Sequence, residues 1–298
     1  MADIKVVESF WNANPCGMPR DWDTNDHRRI FEEGEKWRYS KQSRISKYAD
    51  FNSSHGKKVL EIGCGIGTDG IQFARSGAIY TGVDLTDAAI QISKERFSLF
   101  GQQGEFIKLN AETLPFPDNY FDYIYSFGVI HHAPYPEKIV SEIYRVLKPG
   151  GKVTVMLYNR TSFYYLIEIS MLRKVLWWFC NRKNFCNLFF SLFSRHWRYR
   201  FESFRLKLEK MKTVNKKPNR YEWVSMNTDD VFCPISRVYS KAESKQLFNA
   251  FEDFKSEVWF IDKDNWLLWL ALGRFMPKLV QDWLEFNFGW FRMIQAEK

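Results

Sequence analysis

Between residues 57 and 158, short apolar runs alternate with segments of helical spacing. Five runs have the length and composition of buried strands: 58–62, 78–84, 105–110, 121–127 and 151–158. The intervening segments carry apolar residues three to four positions apart, and the segment 86–101 starts at a capping Thr86 or Asp87 and ends at Gly101. This alternation predicts parallel βαβ units with right-handed crossovers, and therefore an α/β fold.

After residue 160 the pattern changes to aromatic segments of helical spacing. The stretch 161–220 contains 14 Lys/Arg and 3 Asp/Glu and is dense in Phe, Trp and Tyr. We predict helices with apolar and basic faces here, and a polar loop at 211–230. The remaining predicted elements are a helix capped near Ser240, a strand at 252–261, an aromatic helical segment at 262–286 and a last strand at 289–297.

Composition limits the number of domains and the cellular location that we expect for this chain. A chain of 298 residues with 45% hydrophobic content is long enough for one α/β domain with a large insertion, or for two domains. The N-terminus lacks the apolar segment of a secretory signal, and no apolar stretch reaches the length of a membrane span. The five cysteines form no C-x-x-C pair, so we expect reduced thiols, no metal site and a cytoplasmic location.

The segment VLEIGCGIGTDG at 59–70 places a glycine-rich turn directly after the first strand. Such a turn lets the backbone approach a ligand closely, but the pattern alone fits either a dinucleotide or S-adenosylmethionine. Glu61 stands two residues before Gly63, where a carboxylate tolerates a sulfonium and an ammonium but repels a pyrophosphate. Asp84 ends the next strand and can accept both ribose hydroxyls. Together these features favour S-adenosylmethionine over NAD.

The span 57–158 resembles a class I S-adenosylmethionine-dependent methyltransferase of the broad subgroup that includes the ubiquinone and menaquinone biosynthesis enzymes (methyltransferase type 11). The segments that match, in order, are VLEIGCGIG, GVDLTDAAI, NAETLPFPDNYFDYIYSFGVIHH and EIYRVLKPGG. The resemblance implies a Rossmann-like sheet of seven strands in the order 3-2-1-4-5-7-6, with the last strand antiparallel. It also implies a mostly helical insertion after strand five.

The resemblance further implies a site for the cofactor S-adenosylmethionine in the glycine turn and at the ends of strands one to four. The implied contacts are Glu61, Gly63, Gly65, Gly67, Asp84, Leu85, Asn110, Ala111, Glu112 and Ser126. Asp84 would hold the ribose hydroxyls, Leu85 would flank the adenine, and Ser126 would lie beside the methyl group. Asn110 occupies a position that is usually Asp in the family.

Methyl transfer requires an acceptor aligned with the methyl group, and a hydroxyl or ammonium acceptor also requires a base. His131, just beyond strand four, is our candidate base, and its alternative role is packing at the start of a helix. Tyr158 follows strand five on the substrate side and could orient a nucleophile or belong to the core. Arg38 and Tyr39 precede the first strand and could contact the carboxylate of the cofactor, or form a purely structural helix.

We therefore predict an enzyme that transfers a methyl group to a small-molecule acceptor by in-line displacement. The predicted segments are a cofactor-covering N-terminal part at 1–56, a cofactor-binding core at 57–160, a basic aromatic insertion acting on substrate or as a lid at 161–235, and the rest of the core at 236–298. Non-methyl chemistry such as cyclisation, and a lipid-like or RNA acceptor, are the alternatives. Nucleic acid is disfavoured because strand four lacks the Asn-Pro-Pro-aromatic motif, whereas peripheral membrane contact and a homodimer stay open.

Overall fold

The structure is a computed structural model that describes residues 3–17, 26–180, 206, 209–210, 218–230, 232–264, 269 and 273–298. The chain divides into two compact units. Unit 1 comprises Met1–Leu157, Lys241–Ser256 and Met293–Lys298, and unit 2 comprises Tyr158–Ser240 and Glu257–Arg292. Most of the basic aromatic helices predicted within 161–220 lie outside the described residues.

A mainly parallel sheet forms the centre of the α/β fold. Its strands are β1 (Lys58–Ile62), β2 (Ile79–Asp84), β3 (Glu105–Lys108), β4 (Phe121–Phe127), β5 (Leu147–Asn159), β6 (Val238–Tyr239), β7 (Glu252–Trp259) and β8 (Phe291–Glu297). They lie in the order β3-β2-β1-β4-β5-β8-β7, and the two-residue β6 pairs with β5 off this path. Without β6, the order is the predicted 3-2-1-4-5-7-6, which is therefore confirmed.

Strand direction also follows the prediction. The pairs β1–β2, β2–β3, β1–β4 and β4–β5 are all parallel. Strand β8 runs antiparallel to β5. Hydrogen bonds at the two ends of the pair show this direction: the amide of Gly150 donates to the carbonyl of Lys298, and the amide of Asn159 donates to the carbonyl of Trp290. The carboxyl ends of β1, β2 and β4 consequently meet at one edge of the sheet, where open α/β sheets bind ligands.

The apolar runs of the first strands are explained by burial on both faces. Val59, Leu60 and Ile62 of β1 are almost fully inaccessible, and β1 lies between β2 and β4. Parallel strands covered by helices on both sides select near-continuous apolar sequence rather than alternation. This is why the strands of the core were visible in the sequence.

The described helices, in chain order, are α1 (Ile4–Ala13), α2 (His27–Lys41), α3 (Ile45–Ala49), α4 (Gly70–Arg75), α5 (Asp87–Leu99), α6 (Pro136–Val146), α7 (Arg173–Cys180), α8 (Arg220–Thr228), α9 (Lys241–Leu247) and α10 (Lys278–Phe288). Helix α5 begins at the predicted cap, since the side chain of Thr86 accepts a hydrogen bond from the amide of Ala89. Helix α6 begins with Pro136 in its first turn, where a missing amide hydrogen costs nothing.

The loop predicted at 211–230 is wrong for its second half, which forms α8. Asn219 accepts hydrogen bonds from the amides of Tyr221 and Glu222, and the carboxylate of Glu222 accepts from the amide of Asn219. This reciprocal capping box starts the helix despite the polar composition of the segment. Trp223 and Val224 are then buried by packing that composition alone does not reveal.

Unit 2 contains a π-helical segment, Tyr164–Leu172, that continues into α7. Glu168 of the π-helical segment and Arg173, the first residue of α7, form a buried ion pair of 2.6 Å. The Tyr164 hydroxyl and the Arg173 guanidinium both donate to the carbonyl of Asn227 in α8, so polar groups hold this segment to α8. Within the described ranges, no helix combines the length and the hydropathy needed to cross a bilayer.

Candidate functional site

The turn after β1 is held open by glycines in the left-handed backbone region. Gly63, Gly65 and Gly67 have φ values of +75°, +54° and +72°. A Cβ atom at Gly63 would lie 2.1 Å from a methyl carbon of Val129, so packing requires this glycine. A Cβ atom at Gly65 would meet no heavy atom within 4 Å. The turn therefore leaves open space at Gly65, where a ligand can approach the backbone.

Asp84, at the end of β2, lies against this turn. Its Oδ1 accepts hydrogen bonds from the amide and the hydroxyl of Thr86, at 3.0 and 2.9 Å, and its Oδ2 accepts from the amide of Gly65 at 3.1 Å. Burial raises the pKa of Asp84 above its usual 3.8, and the hydrogen bonds from Thr86 and Gly65 oppose that shift. Donors such as ribose hydroxyls would favour the ionised form further.

Glu61 occupies a different environment, inside the protein behind the turn. Its carboxylate accepts a 2.5 Å hydrogen bond from the hydroxyl of Tyr80, and a Cβ atom at Gly70 would lie 2.8 Å from it. Burial, together with the charge of Asp69, raises the pKa of Glu61 well above 4.5, although the Tyr80 hydrogen bond opposes the shift. A cation approaching the turn would stabilise the ionised carboxylate.

The predicted adenine contacts after β3 are fixed by local hydrogen bonds. The Oδ1 atom of Asn110 accepts from the amide of Glu112 at 3.1 Å, and the Glu112 carboxylate accepts from the amide of Tyr135 at 3.2 Å. Leu85 and Ala111 are half-buried. Asn110 therefore shapes this loop as an Asp would, by accepting a backbone hydrogen bond two residues ahead.

The predicted site residues at the end of β4 and in the 3-10 helix after it are buried. The Ser126 hydroxyl donates to the carbonyl of Ile62 at 3.0 Å, which ties the ends of β4 and β1 together. His131 is fully inaccessible and lies 4.3 Å from His132, centroid to centroid, in the short 3-10 helix Ile130–His132. Both the catalytic and the packing role of His131 are compatible with this burial.

Helix α1 crosses the same edge of the sheet. Asn12 accepts a hydrogen bond from the amide of Ala88 at the start of α5, and Glu8 forms a 2.8 Å ion pair with Lys108 at the end of β3. Trp11 packs edge-on against His132, with ring centroids 5.0 Å apart. The helix is thus anchored at β3, α5 and the segment after β4, which fits the predicted covering role of the N-terminal part.

The sequence analysis did not predict the buried cluster of side chains around Asp69, which lies four residues after Gly65. Asp69 accepts two hydrogen bonds from the Arg38 guanidinium, at 3.0 and 2.5 Å, and one from each hydroxyl of Tyr39 and Tyr125, at 2.8 and 3.0 Å. Burial alone would raise the pKa of Asp69, but the charge and hydrogen bonds of Arg38 lower it below 3.8. The predicted contact of Arg38 and Tyr39 with a cofactor carboxylate remains a prediction.

Arg96 of α5 connects the glycine turn to α2. Its guanidinium is buried and donates to the carbonyl of Ile66, the hydroxyl of Thr68 and the carbonyl of Phe31, at 3.3, 2.6 and 3.1 Å. Burial lowers the pKa of Arg96 to about 10, while Glu35 at 3.3 Å opposes that shift. These hydrogen bonds tie the glycine turn to both α5 and α2.

Tyr158, the second predicted catalytic residue, belongs to unit 2. Its hydroxyl donates to a carboxylate oxygen of Asp229 at 2.8 Å, and its ring stacks on Trp290 at 4.4 Å between centroids. The other oxygen of Asp229 accepts from the hydroxyls of Thr228 and Ser236, each at 2.7 Å. Asp229 was not identified from the sequence because it is 71 residues away from Tyr158.

Comparison with known proteins agrees with the geometry. Residues 60–155 match a protein family described as a methyltransferase domain. The sterol 24-C-methyltransferase of Yarrowia lipolytica is 33% identical over 164 residues, covering 53% of this chain and 43% of that protein. The ubiquinone biosynthesis O-methyltransferase of Pseudomonas putida is 34% identical over 116 residues, covering 38% of this chain and 50% of that protein. The chain thus spans half or less of the length of these relatives.

A solved structure shows the same fold. It is the phosphoethanolamine N-methyltransferase 2 of Haemonchus contortus, in complex with phosphomonomethylethanolamine and S-adenosylhomocysteine. The TM-score is 0.52 at 18% identity, and the match covers 99% of this chain and 57% of that one. At this identity the likeness supports the fold alone.

Proposed function

We propose that this chain, which carries a class I S-adenosylmethionine-dependent methyltransferase domain, transfers a methyl group to a small-molecule acceptor. The observation that carries the proposal is the open space at Gly65 next to the Asp84 carboxylate. A nucleoside whose ribose hydroxyls donate to Asp84 can lie against this backbone without a side chain in the way. The residues present therefore fit S-adenosylmethionine.

Each part of the site has a distinct proposed role. When bound, the cofactor supplies an electrophilic methyl group on a sulfonium. We assign the ribose to Asp84, the adenine edge to Asn110 and Glu112, and the cationic end to the neighbourhood of Glu61. Once ionised, Glu61 would supply a negative charge near the cofactor's positive charge, an interaction that is strongest where water is excluded.

We propose that His131 accepts a proton if the acceptor is a hydroxyl or an ammonium. Its position after β4, covered by the Trp11–His132 contact, supports a water-poor environment for this step. Tyr158 would orient the acceptor, with Asp229 holding its hydroxyl. The relatives are named for C- and O-methylation, so similarity alone does not choose the acceptor atom.

The insertion at 161–235 is proposed to recognise the acceptor or to act as a lid. Its sequence follows the carboxyl end of β5, and its aromatic density suits an apolar binding surface. We keep a cytoplasmic location as a proposal based on the cysteine pattern; Cys64 and Cys233 are buried, and burial raises the pKa of both thiols. A homodimer and peripheral membrane contact are proposals for partners, and a nucleic-acid partner is disfavoured.

The function is tested by incubating the full chain with S-adenosylmethionine carrying a deuterated methyl group and a fractionated pool of small metabolites. We expect S-adenosylhomocysteine to form only with some fractions, and a deuterated methyl group to appear on a small molecule by mass spectrometry. A product that lacks the deuterated methyl would point to non-methyl chemistry. In a parallel incubation with RNA, transfer confined to RNA would refute the small-molecule proposal.

A further inference from the structure

The backbone amides of the glycine turn differ in whether the chain itself supplies their acceptors. Four of the five consecutive amides donate to groups within the chain, namely those of Gly63, Cys64, Gly65 and Gly67. Among the residues that the structure describes, the amide of Ile66 finds no acceptor. Ile66 is only 8% exposed, and a buried amide without an acceptor costs free energy. This amide is therefore a candidate donor to a ligand, next to the open space at Gly65.

A serine of α5 sets the direction of that amide. Ser93 is fully inaccessible, and its hydroxyl donates a 2.8 Å hydrogen bond to the carbonyl of Gly65. The other polar atom near this hydroxyl is the sulfur of Cys64, at 3.9 Å, so the carbonyl is the closer acceptor. The Gly65 carbonyl and the Ile66 amide belong to one trans peptide group, whose C=O and N–H bonds point in opposite directions. Because the carbonyl points at α5, the amide points away from α5.

Further contacts hold this peptide group from both sides. The amide of Gly65 donates to Asp84 at 3.1 Å, and the carbonyl of Ile66 accepts at 3.3 Å from Arg96, which lies three residues after Ser93 on the same face of α5. The side chain of Ile66 packs in a buried cluster with side chains of α2 and α5. Of the backbone groups of residues 65 and 66, three are thus bound within unit 1, and the fourth is the Ile66 amide.

We propose that Ser93 is a positioning residue of the cofactor site. By holding the Gly65 carbonyl on α5, it turns the Ile66 amide to the ligand side, where the amide donates a hydrogen bond to an oxygen atom of bound S-adenosylmethionine. Ser93 acts through the backbone, since its own hydroxyl is inaccessible and already bound. This inference rests on the proposed function, because it requires the cofactor to lie against the glycine turn.

The first test observes the Ile66 amide by NMR in the full chain labelled with ¹⁵N-isoleucine, with and without S-adenosylhomocysteine, which keeps every oxygen of the cofactor. On binding, we expect the amide proton resonance to move downfield and its exchange with solvent to slow by roughly tenfold, because the amide gains an acceptor. Ile66→Val identifies the resonance by removing it. Ile71 is the internal control: its amide already donates to the carbonyl of Gly67, so its exchange should change far less.

The second test measures the role of the serine hydroxyl. In Ser93→Ala, the downfield shift of Ile66 should shrink, and calorimetry should show an affinity for S-adenosylhomocysteine about three- to tenfold lower, the ratio that corresponds to one hydrogen bond. Ser98→Ala is the matched control, since Ser98 is an exposed serine of the same helix. Ile143→Val, in the buried face of α6, controls for a loss of stability alone. Both controls should bind as the native chain does.

The outcomes separate this inference from the proposed function. If the native chain binds S-adenosylhomocysteine while the Ile66 resonance and its exchange stay as in the free chain, the inference alone is overturned. It is equally overturned if Ser93→Ala reproduces the native shift and the native affinity, or if Ile143→Val loses as much affinity as Ser93→Ala. A native chain that binds no S-adenosylhomocysteine would refute the proposed function, and this inference with it, before any variant is compared.

Discussion

At the scale of single residues, two acids near the glycine turn have different surroundings: Asp84 is half-buried, whereas Glu61 is buried. Asp84 is bonded to backbone amides at the edge of the sheet, whereas Glu61 is bonded to Tyr80 behind the turn. Both have a raised pKa, and burial is the main cause in each case. Of these two acids, Asp84 directly adjoins the open space at Gly65. We therefore expect substitution of Asp84 to change ligand affinity directly.

Asp84→Ala should weaken S-adenosylhomocysteine binding by about 1.5–3 kcal/mol for each ribose hydrogen bond lost, because the acceptor is charged. Isothermal titration calorimetry measures the loss. Asp87→Ala is the control, since Asp87 is close in sequence but 61% exposed, and its affinity should match the native chain. Equal affinity of Asp84→Ala and the native chain would remove Asp84 from the site.

The same carboxylate predicts a pH dependence of binding. The raised pKa of Asp84 means that it gains a proton above the usual 3.8 as pH falls, and the protonated acid accepts hydrogen bonds poorly. Affinity for S-adenosylhomocysteine should therefore be greatest above that pKa and decline as the solution is acidified through it. Calorimetry across this range should show a flatter profile for Asp84→Ala, and identical profiles would contradict the assignment.

His131→Ala should lower turnover by about 10²–10⁴-fold if His131 is the base for a hydroxyl or ammonium acceptor. Cofactor affinity should change far less, because His131 follows β4 and is not part of the glycine turn. Single-turnover kinetics with the identified acceptor, beside calorimetry, separate the two effects. Unchanged turnover would assign His131 to packing against His132.

At the scale of elements, the glycine turn separates a structural from a functional requirement. Gly65→Ala should cost roughly 1–2 kcal/mol of stability from its left-handed backbone, and it should strongly weaken cofactor binding because the Cβ enters the open space. Gly63→Ala should cost about 1–3 kcal/mol more, since its Cβ overlaps Val129. Urea unfolding measures the loss of stability in each variant, and calorimetry with S-adenosylhomocysteine measures the loss of affinity in Gly65→Ala.

Val129→Ala provides the matched background for this pair. It should recover part of the stability lost by Gly63→Ala, because the methyl carbon 2.1 Å from the new Cβ is removed. It should not recover the affinity lost by Gly65→Ala. Recovery of affinity in the Gly65→Ala chain would mean that the space at Gly65 is not where the ligand lies.

Elements could be predicted where local pattern and burial coincide. The parallel strands and the Thr86 cap were predicted because apolar runs and capping side chains are local signals. Helix α8 was missed because its polar composition outweighed the Asn219–Glu222 capping box. The Asp69 and Asp229 clusters were missed because their partners come from distant elements, and no local pattern encodes such hydrogen bonds.

At the scale of the whole molecule, we propose that unit 1 binds the cofactor and that the insertion at 161–235 recognises the acceptor. Replacement of residues 163–220 by a short linker should leave S-adenosylhomocysteine affinity intact and abolish methyl transfer. Retained affinity is the control for folding of unit 1. Retained transfer by the shortened chain would refute the role of the insertion as a lid or acceptor-binding element.

We propose that the glycine turn and Asp84 bind S-adenosylmethionine rather than a dinucleotide. Calorimetric titration of the native chain with S-adenosylhomocysteine, and separately with NAD, tests it most directly. We predict saturable, one-to-one binding of S-adenosylhomocysteine that Asp84→Ala weakens, and negligible binding of NAD. Binding of NAD with equal or higher affinity, or no binding of S-adenosylhomocysteine, would contradict it.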